Sequence, residues 1–151
     1  MQLILALVLL LLASPAFGQA KPVAYTDGTA AGGAGALLGK LATANMNSTA
    51  DQAITINASK YIVRKIVVVN ASTNLTLAVG GVYTAASKGG TAIVASTQVY
   101  TALTGSTKYL ELTLQNLATD VLTAGTLYLS LTVAQGGAAT ADVYVLGDAL
   151  P

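Results

Sequence analysis

From Ala53 onward, the chain alternates between apolar and polar residues with a period of two. The alternation is clearest in TLYLSLTV (126–133), and it recurs in AITIN (53–57), LTLAV (75–79), KYLELTLQ (108–115) and DVYVLG (142–147). TAIVAS (91–96) and QVYTAL (98–103) are two less regular candidates. Because successive side chains of a β-strand point to opposite faces, this period predicts strands with one buried face. Together with turn-forming connectors, it predicts an all-β domain over residues 53–151, an antiparallel β-sandwich or jelly-roll of about seven to eight strands.

One predicted strand, YIVRKIVVVN (61–70), is apolar on both faces. In a regular strand, one face would carry Tyr61, Val63, Lys65, Val67 and Val69. The other face would carry Ile62, Arg64, Ile66, Val68 and Asn70. One face can pack in the core, so the other needs a cover. We predict that neither face is broadly exposed and that at least one is covered by another chain, with the first set as the assembly interface. The alternative is that the preceding Gly-rich segment covers this face. The two interpretations are compatible if that segment comes from a neighbouring chain.

The N-terminal third differs in composition from the rest. The apolar run Leu3–Ala13 is about half of the ~20 residues needed to span a bilayer as a helix. Small residues follow it before Gln19, so residues 1–18 are a predicted signal peptide and no membrane span remains after its removal. An uncleaved apolar terminus packed in an assembly is the alternative. Residues 19–52, rich in Gly and Ala, are predicted to be a flexible arm, with at most a short helical turn at Ala36 to Ala44.

The composition argues against catalysis. The chain has no His and no Cys, so it cannot form a Ser–His or Cys–His dyad or a zinc site of the usual ligands. The carboxylates are scattered: Asp27, Asp51, Glu111, Asp120, Asp142 and Asp148. We therefore predict that the protein is not an enzyme and has no catalytic residues, cofactor or metal. A net charge of +1 with no basic stripe also argues against nucleic acid as a partner.

The same composition favours association. Charged residues make up 9% of the chain, far below the roughly 25% typical of soluble domains. Without disulfides, a small exported domain often gains stability by forming oligomers. Tyr109, Tyr128 and Tyr144 are predicted to share the outward side of their strands. Such a row could stack on glycans, although cross-strand packing of the rings is the favoured interpretation.

Three segments, 44–72, 78–94 and 122–148, resemble small β-rich structural proteins of phage virions, of the decoration or fibre type. The resemblance lies in short Val/Leu strands joined by Thr/Ala/Gly turns, as in AVGGVYTAASKGGTAIV. It implies a homo-oligomer, with a trimer favoured, and a structural or adhesive role.

The resulting hypothesis is a non-enzymatic structural protein that self-assembles or decorates a larger assembly. It would be secreted, at the cell surface or in a virion, and its partners would be further copies or other structural proteins. The alternative is an exported carbohydrate-binding or adhesin module that binds glycans.

Overall fold

The structure, a computed structural model, describes residues 35–104, 109–115 and 120–151. These residues form β-strands joined by turns and loops, with no helix among them. The strands are β1 (Ala36–Asn45), β2 (Gln52–Thr55), β3 (Lys60–Val69), β4 (Val79–Ala85), β5 (Gly89–Val94), β6 (Tyr109–Glu111), β7 (Thr126–Val133) and β8 (Thr140–Leu150). The predicted all-β antiparallel sandwich is confirmed. The predicted signal peptide, residues 1–18, and residues 19–34 of the predicted arm lie outside the described residues.

The strands pair in two four-stranded antiparallel sheets over the described part of the chain. Sheet A has the order β1-β8-β3-β6, and sheet B has the order β2-β7-β4-β5. The pairs β1–β8, β2–β7, β3–β6 and β4–β5 are those of one long two-stranded ribbon wrapped into two layers. This wrapping is that of a jelly roll, which decides between the two predicted all-β architectures.

The core lies between the two sheets and is made mainly by the period-two residues of the central strands. Leu127, Leu129 and Leu131 of β7 are fully buried, and so are Val143 and Val145 of β8. The alternation in these two segments therefore predicted the core correctly, except at the end of β7. There Val133 is half-exposed, and Ser130, whose position in the alternation predicts an outward side chain, is buried.

The prediction of a flexible arm is wrong for Ala36–Asn45, which is β1, a ten-residue edge strand of sheet A. Leu38 and Ala44 are buried in the core, and Leu41 packs against it. Register shifts between Leu37 and Gly39 and between Leu41 and Ala44 each add one residue to the strand. The core-facing residues are therefore three apart, which hides the strand period and suggests a helical turn instead.

Two further segments are not the predicted strands. LTLAV (75–79) is mostly a connection that enters β4 only at Val79, and in QVYTAL (98–103) only Val99 forms an isolated bridge. Leu75 is nonetheless buried in the core, and its backbone N–H donates a hydrogen bond to the carbonyl of Leu103 at 2.9 Å. Loop-to-loop hydrogen bonding, not strand pairing, places these residues.

Backbone hydrogen bonds also join the two sheets at both sides of the sandwich. On one side, the N–H of Asn57 donates to the carbonyl of Leu38 at 2.9 Å. On the other, the chain after β6 crosses from sheet A to sheet B, with Leu112 bonded to Ile66 and Gln115 bonded to Ile93. Such closure reduces the unpaired strand edge that another chain could extend. Association through the sheet faces is therefore favoured over edge pairing.

Candidate assembly surface

The predicted assembly interface on β3 is divided by a β-bulge. Val63 pairs with Gly147 and Lys65 pairs with Leu146, so Arg64 is an extra residue that reverses the alternation. Tyr61 and Val63 point into the core and are fully buried, whereas Lys65, Val67 and Val69 lie on the outer face. The prediction that these five side chains share one face is thus wrong, and Tyr61 and Val63 are not available to a partner in the folded chain.

The outer side of β3 is largely covered by the chain itself. Val67 is paired with Tyr144 of β8 and Glu111 of β6, and it is only 7% exposed. Lys65 crosses to β6, where its Nζ lies 2.8 Å from Glu111 Oε2 and 3.3 Å from the hydroxyl of Tyr109. Long side chains can cover apolar surface with their stems in this way. The apolar residues of β3 are therefore buried or half-buried within one chain, and cover by a second chain remains a prediction.

In the described part of sheet A, each pair of neighbouring strands is linked by an ion pair. The pairs are Lys40–Asp142 (β1–β8, 3.6 Å), Arg64–Asp148 (β3–β8, 2.7 Å) and Lys65–Glu111 (β3–β6, 2.8 Å). The hydrogen bond to Lys65 lowers the pKa of Glu111 and raises that of Lys65. These six charges are therefore balanced within the sheet, while Lys60, at the exposed start of β3, is not part of these pairs.

The tyrosines do not form the predicted single outward row. Tyr109 and Tyr144 lie on the outer face of sheet A, but Tyr128 belongs to sheet B. Lys40 Nζ lies 4.8 Å from the centre of the Tyr144 ring, and Lys65 Nζ lies 6.0 Å from that of Tyr109. Both contacts are in the range of cation–π interactions. A sugar that stacked on either ring would have to displace or share it with a lysine.

Asp142 is the most heavily bonded carboxylate on this sheet. It accepts hydrogen bonds from the backbone N–H of Thr43 at 2.8 Å and from Asn70 Nδ2 at 3.1 Å, in addition to its ion pair with Lys40. Thr43 has a φ of 50°, an uncommon conformation for a β-branched residue. The bond from Thr43 is the main reason that the pKa of Asp142 is below its ordinary value. The carboxylate therefore ties the bulged half of β1 to β8.

We expect Asp142→Asn to lower the free energy of unfolding at pH 7 by about 1–2 kcal/mol, because charge-assisted hydrogen bonds are lost. Since the folded-state pKa is depressed, the stabilisation is present above the unfolded value, 3.8, and is lost as pH falls through the folded value. The deficit of the variant should therefore shrink below pH 4. Urea unfolding at pH 7 and pH 3 measures it, with Asp120→Asn at an exposed position as control. An equal deficit at both pH values would contradict the argument.

The most exposed apolar side chains indicate a different surface. Six large hydrophobic residues of the described chain are about half-exposed: Leu37, Leu77, Val99, Tyr109, Val121 and Val133. Three of these converge at one end of sheet B. Val79 of β4 pairs with Val133 on one side and with Val99 on the other, and Leu77 precedes Val79 with the buried Ala78 between them. We call Leu77, Val79, Val99 and Val133 the valine patch.

The polar residues beside the valine patch are uncharged and hydrogen-bonded to the backbone. Gln135 Oε1 accepts hydrogen bonds from the backbone N–H groups of Leu77 and Ala78, at 3.1 and 3.2 Å. Gln98 Oε1 accepts one from the N–H of Thr113 at 3.0 Å, and Thr132 Oγ1 lies 3.2 Å from the carbonyl oxygen of Val79. The patch therefore combines an apolar centre with a neutral polar margin. Sequence reasoning missed it because its members come from three segments that meet only through the pairing of β4 with β7 and the bridge between Val79 and Val99.

Other kinds of site are poorly represented in the described residues. No group of three His, Cys, Asp or Glu residues lies close enough there to hold a metal ion. Within residues 35–104, 109–115 and 120–151, no helix is long and apolar enough to cross a membrane. Comparison with protein-family models, curated proteins and solved structures found no match.

Proposed function

We propose that this protein is a non-enzymatic structural protein that acts by self-association or by coating a larger assembly, in a virion or at a cell surface. The observation that carries the proposal is the valine patch, where Leu77, Val99 and Val133 are 57%, 49% and 50% exposed. A cluster of exposed aliphatic side chains with a polar margin is typical of protein–protein contact surfaces.

Two further features support a structural role. The jelly roll leaves few unpaired edges, so the domain can associate through faces without uncontrolled strand addition. The absence of His and Cys from the whole chain removes most nucleophile–base pairs. Jelly rolls occur both in viral coat proteins and in lectins, so the fold alone does not choose between a structural role and glycan binding.

Light scattering across a dilution series tests the proposal. The full chain is expressed and purified, and the N-terminus of the purified protein is determined by mass spectrometry so that the mass of one copy is known. We expect a mass above that of one copy at high concentration, falling towards one copy on dilution. A mass of one copy at every concentration would contradict self-association. The glycan-binding alternative would then be tested next, on a glycan array.

A further inference from the structure

The turn between β4 and β5 is bonded to a residue on the far side of sheet B. The turn is closed by a hydrogen bond from the N–H of Gly89 to the carbonyl of Ala86 at 3.0 Å. At its centre, the backbone N–H of Ser87 donates to Asp51 Oδ2 at 2.5 Å. Asp51 immediately precedes β2, and β7 lies between β2 and β4. The bond therefore reaches across two strand spacings, or roughly 10 Å. We call residues 86–88 the strap.

The strap accounts for two buried side chains that do not face the core. The leucines of β7 fill the core, so Tyr128 and Ser130 point to the outer face of sheet B. Tyr83 of β4 pairs with Tyr128 and shares this outer face. Ser130 is nevertheless fully buried, and Tyr83 is only 4% exposed. Because Asp51 lies beside Ser130, a turn bonded to Asp51 covers this part of the outer face.

The closed arrangement has two unfavourable features. Ser87 and Lys88 have φ values of 57° and 59°, in the left-handed region that is costly for residues with a Cβ atom. The hydroxyls of Tyr83 and Ser130 are buried without a well-oriented hydrogen-bond partner among the described residues. A buried hydroxyl in this state has lost the hydrogen bonds that water would supply. Opening of the strap relieves both features.

Asp51 opposes opening. Its carboxylate accepts a charge-assisted hydrogen bond from the N–H of Ser87, a stronger kind than a bond between neutral groups. This bond is the main reason that the pKa of Asp51 is below its ordinary value, with smaller contributions from the nearby Ser130 hydroxyl and the charge of Lys88. The carboxylate is therefore ionised at neutral pH and available to hold the turn. Burial of the Tyr83 ring also favours the closed arrangement.

We propose that the strap opens without unfolding of the sandwich and that Asp51 is the latch that holds it closed. Tyr83 does not belong to the core formed by the described residues, so the core can stay intact when the strap leaves the sheet. Opening exposes Tyr83, Tyr128 and Ser130. The strap thus controls access to the outer face of sheet B. This device is separate from the valine patch and does not depend on self-association.

Hydroxyl-radical footprinting tests the proposal, because the oxidation rate of a side chain follows its exposure to solvent. Tyr83 reports on the strap, half-exposed Tyr109 is the reference for free access, and Tyr100, fully buried in the core, reports on global unfolding. Asp51→Ala removes the latch. Asp120→Ala is the matched control, since it removes an exposed carboxylate in the connection before β7.

We expect Asp51→Ala to raise the oxidation rate of Tyr83 at least threefold while Tyr100 stays protected, and Asp120→Ala to leave both rates unchanged. Continued protection of Tyr83 in Asp51→Ala would show that Asp51 is not the latch. A simultaneous loss of protection at Tyr83 and Tyr100 would show that the strap opens only when the whole domain unfolds. Either result overturns the proposal. Should melting show that Asp51→Ala is unfolded, Asp51→Asn replaces it and is judged by the same outcomes.

A second variant tests the strain in the turn. Ser87→Asn keeps the backbone N–H that Asp51 binds, and Asn adopts the left-handed conformation more readily than Ser. We expect oxidation of Tyr83 in this variant to stay at or below the rate in the unchanged protein. A rise as large as that in Asp51→Ala would contradict the balance of strain and latch on which the proposal rests.

Discussion

Gly147→Ala should destabilise the fold by about 3 kcal/mol, at the upper end of the usual cost of overpacking a core. A Cβ atom at this position would overlap the carbonyl oxygen of Ile62 and lie 2.9 Å from Leu38 Cδ1. The first neighbour is backbone in β3, next to the bulge at Arg64, so it cannot rotate away as a side chain could. Relief requires that β3 and β8 separate locally, and this pairing is central to sheet A.

Chemical denaturation of the variant measures this cost, and the chain offers a matched control. Gly125→Ala makes the same chemical change where an added Cβ would have no atom within 4 Å. We expect the control to stay within about 1 kcal/mol of the unchanged protein, or to gain slightly from lower chain entropy in the unfolded state. Equal stability of the two variants would show that the approach of β8 to β3 is not as close as described.

Alkaline pH should weaken the fold through Tyr61. This side chain is fully buried at the start of β3, and its hydroxyl donates a hydrogen bond to the carbonyl of Ala124 at 2.7 Å. Burial raises its pKa from 10.0 to about 12. Between these values the unfolded chain has lost the proton and the folded chain keeps it, so stability falls as pH rises. The contribution is complete below pH 10, and its loss amounts to roughly 2–3 kcal/mol by pH 12.

Thermal melting at intervals from pH 8 to pH 12 tests this dependence. Tyr61→Phe should be less stable at pH 8, because the carbonyl of Ala124 loses its donor, but its melting temperature should fall less steeply above pH 10. Some alkaline loss will persist, since burial also raises the pKa of Tyr100. Tyr109→Phe, at a half-exposed position, should retain the full loss because Tyr61 and Tyr100 are intact. If Tyr61→Phe and the unchanged protein lose stability in parallel, Tyr61 is not responsible.

The sequence was sufficient for the fold class wherever strands are regular. In β7 and β8 the side chains that recur every second residue are the ones that fill the core, because a pleated strand alternates strictly between two faces. The segments are separated by turn residues, and none of them has a long helical period. Together these features predict an antiparallel two-layer fold.

The candidate surface could not be predicted in the same way. β1 and β3 contain bulges, and each extra residue reverses which face the following side chains occupy. A period-two sequence pattern does not indicate where a β-bulge will interrupt the strand pairing. For this reason the five residues that the sequence predicts on one face of β3 lie on two faces, and the sequence of β1 does not read as a strand.

The properties that follow from the sequence alone are local: the strand periodicity, the low proportion of charged residues and the absence of His and Cys. Which apolar residues remain exposed follows only from the packing of the folded chain. Val67 is buried by its neighbours on β6 and β8, whereas Val79, Val99 and Val133 come together at an end of sheet B that is partly exposed in the described part of the chain. Exposure depends on neighbours that are distant along the chain, so it follows from the wrapping of the jelly roll and not from the order of residues within any one segment.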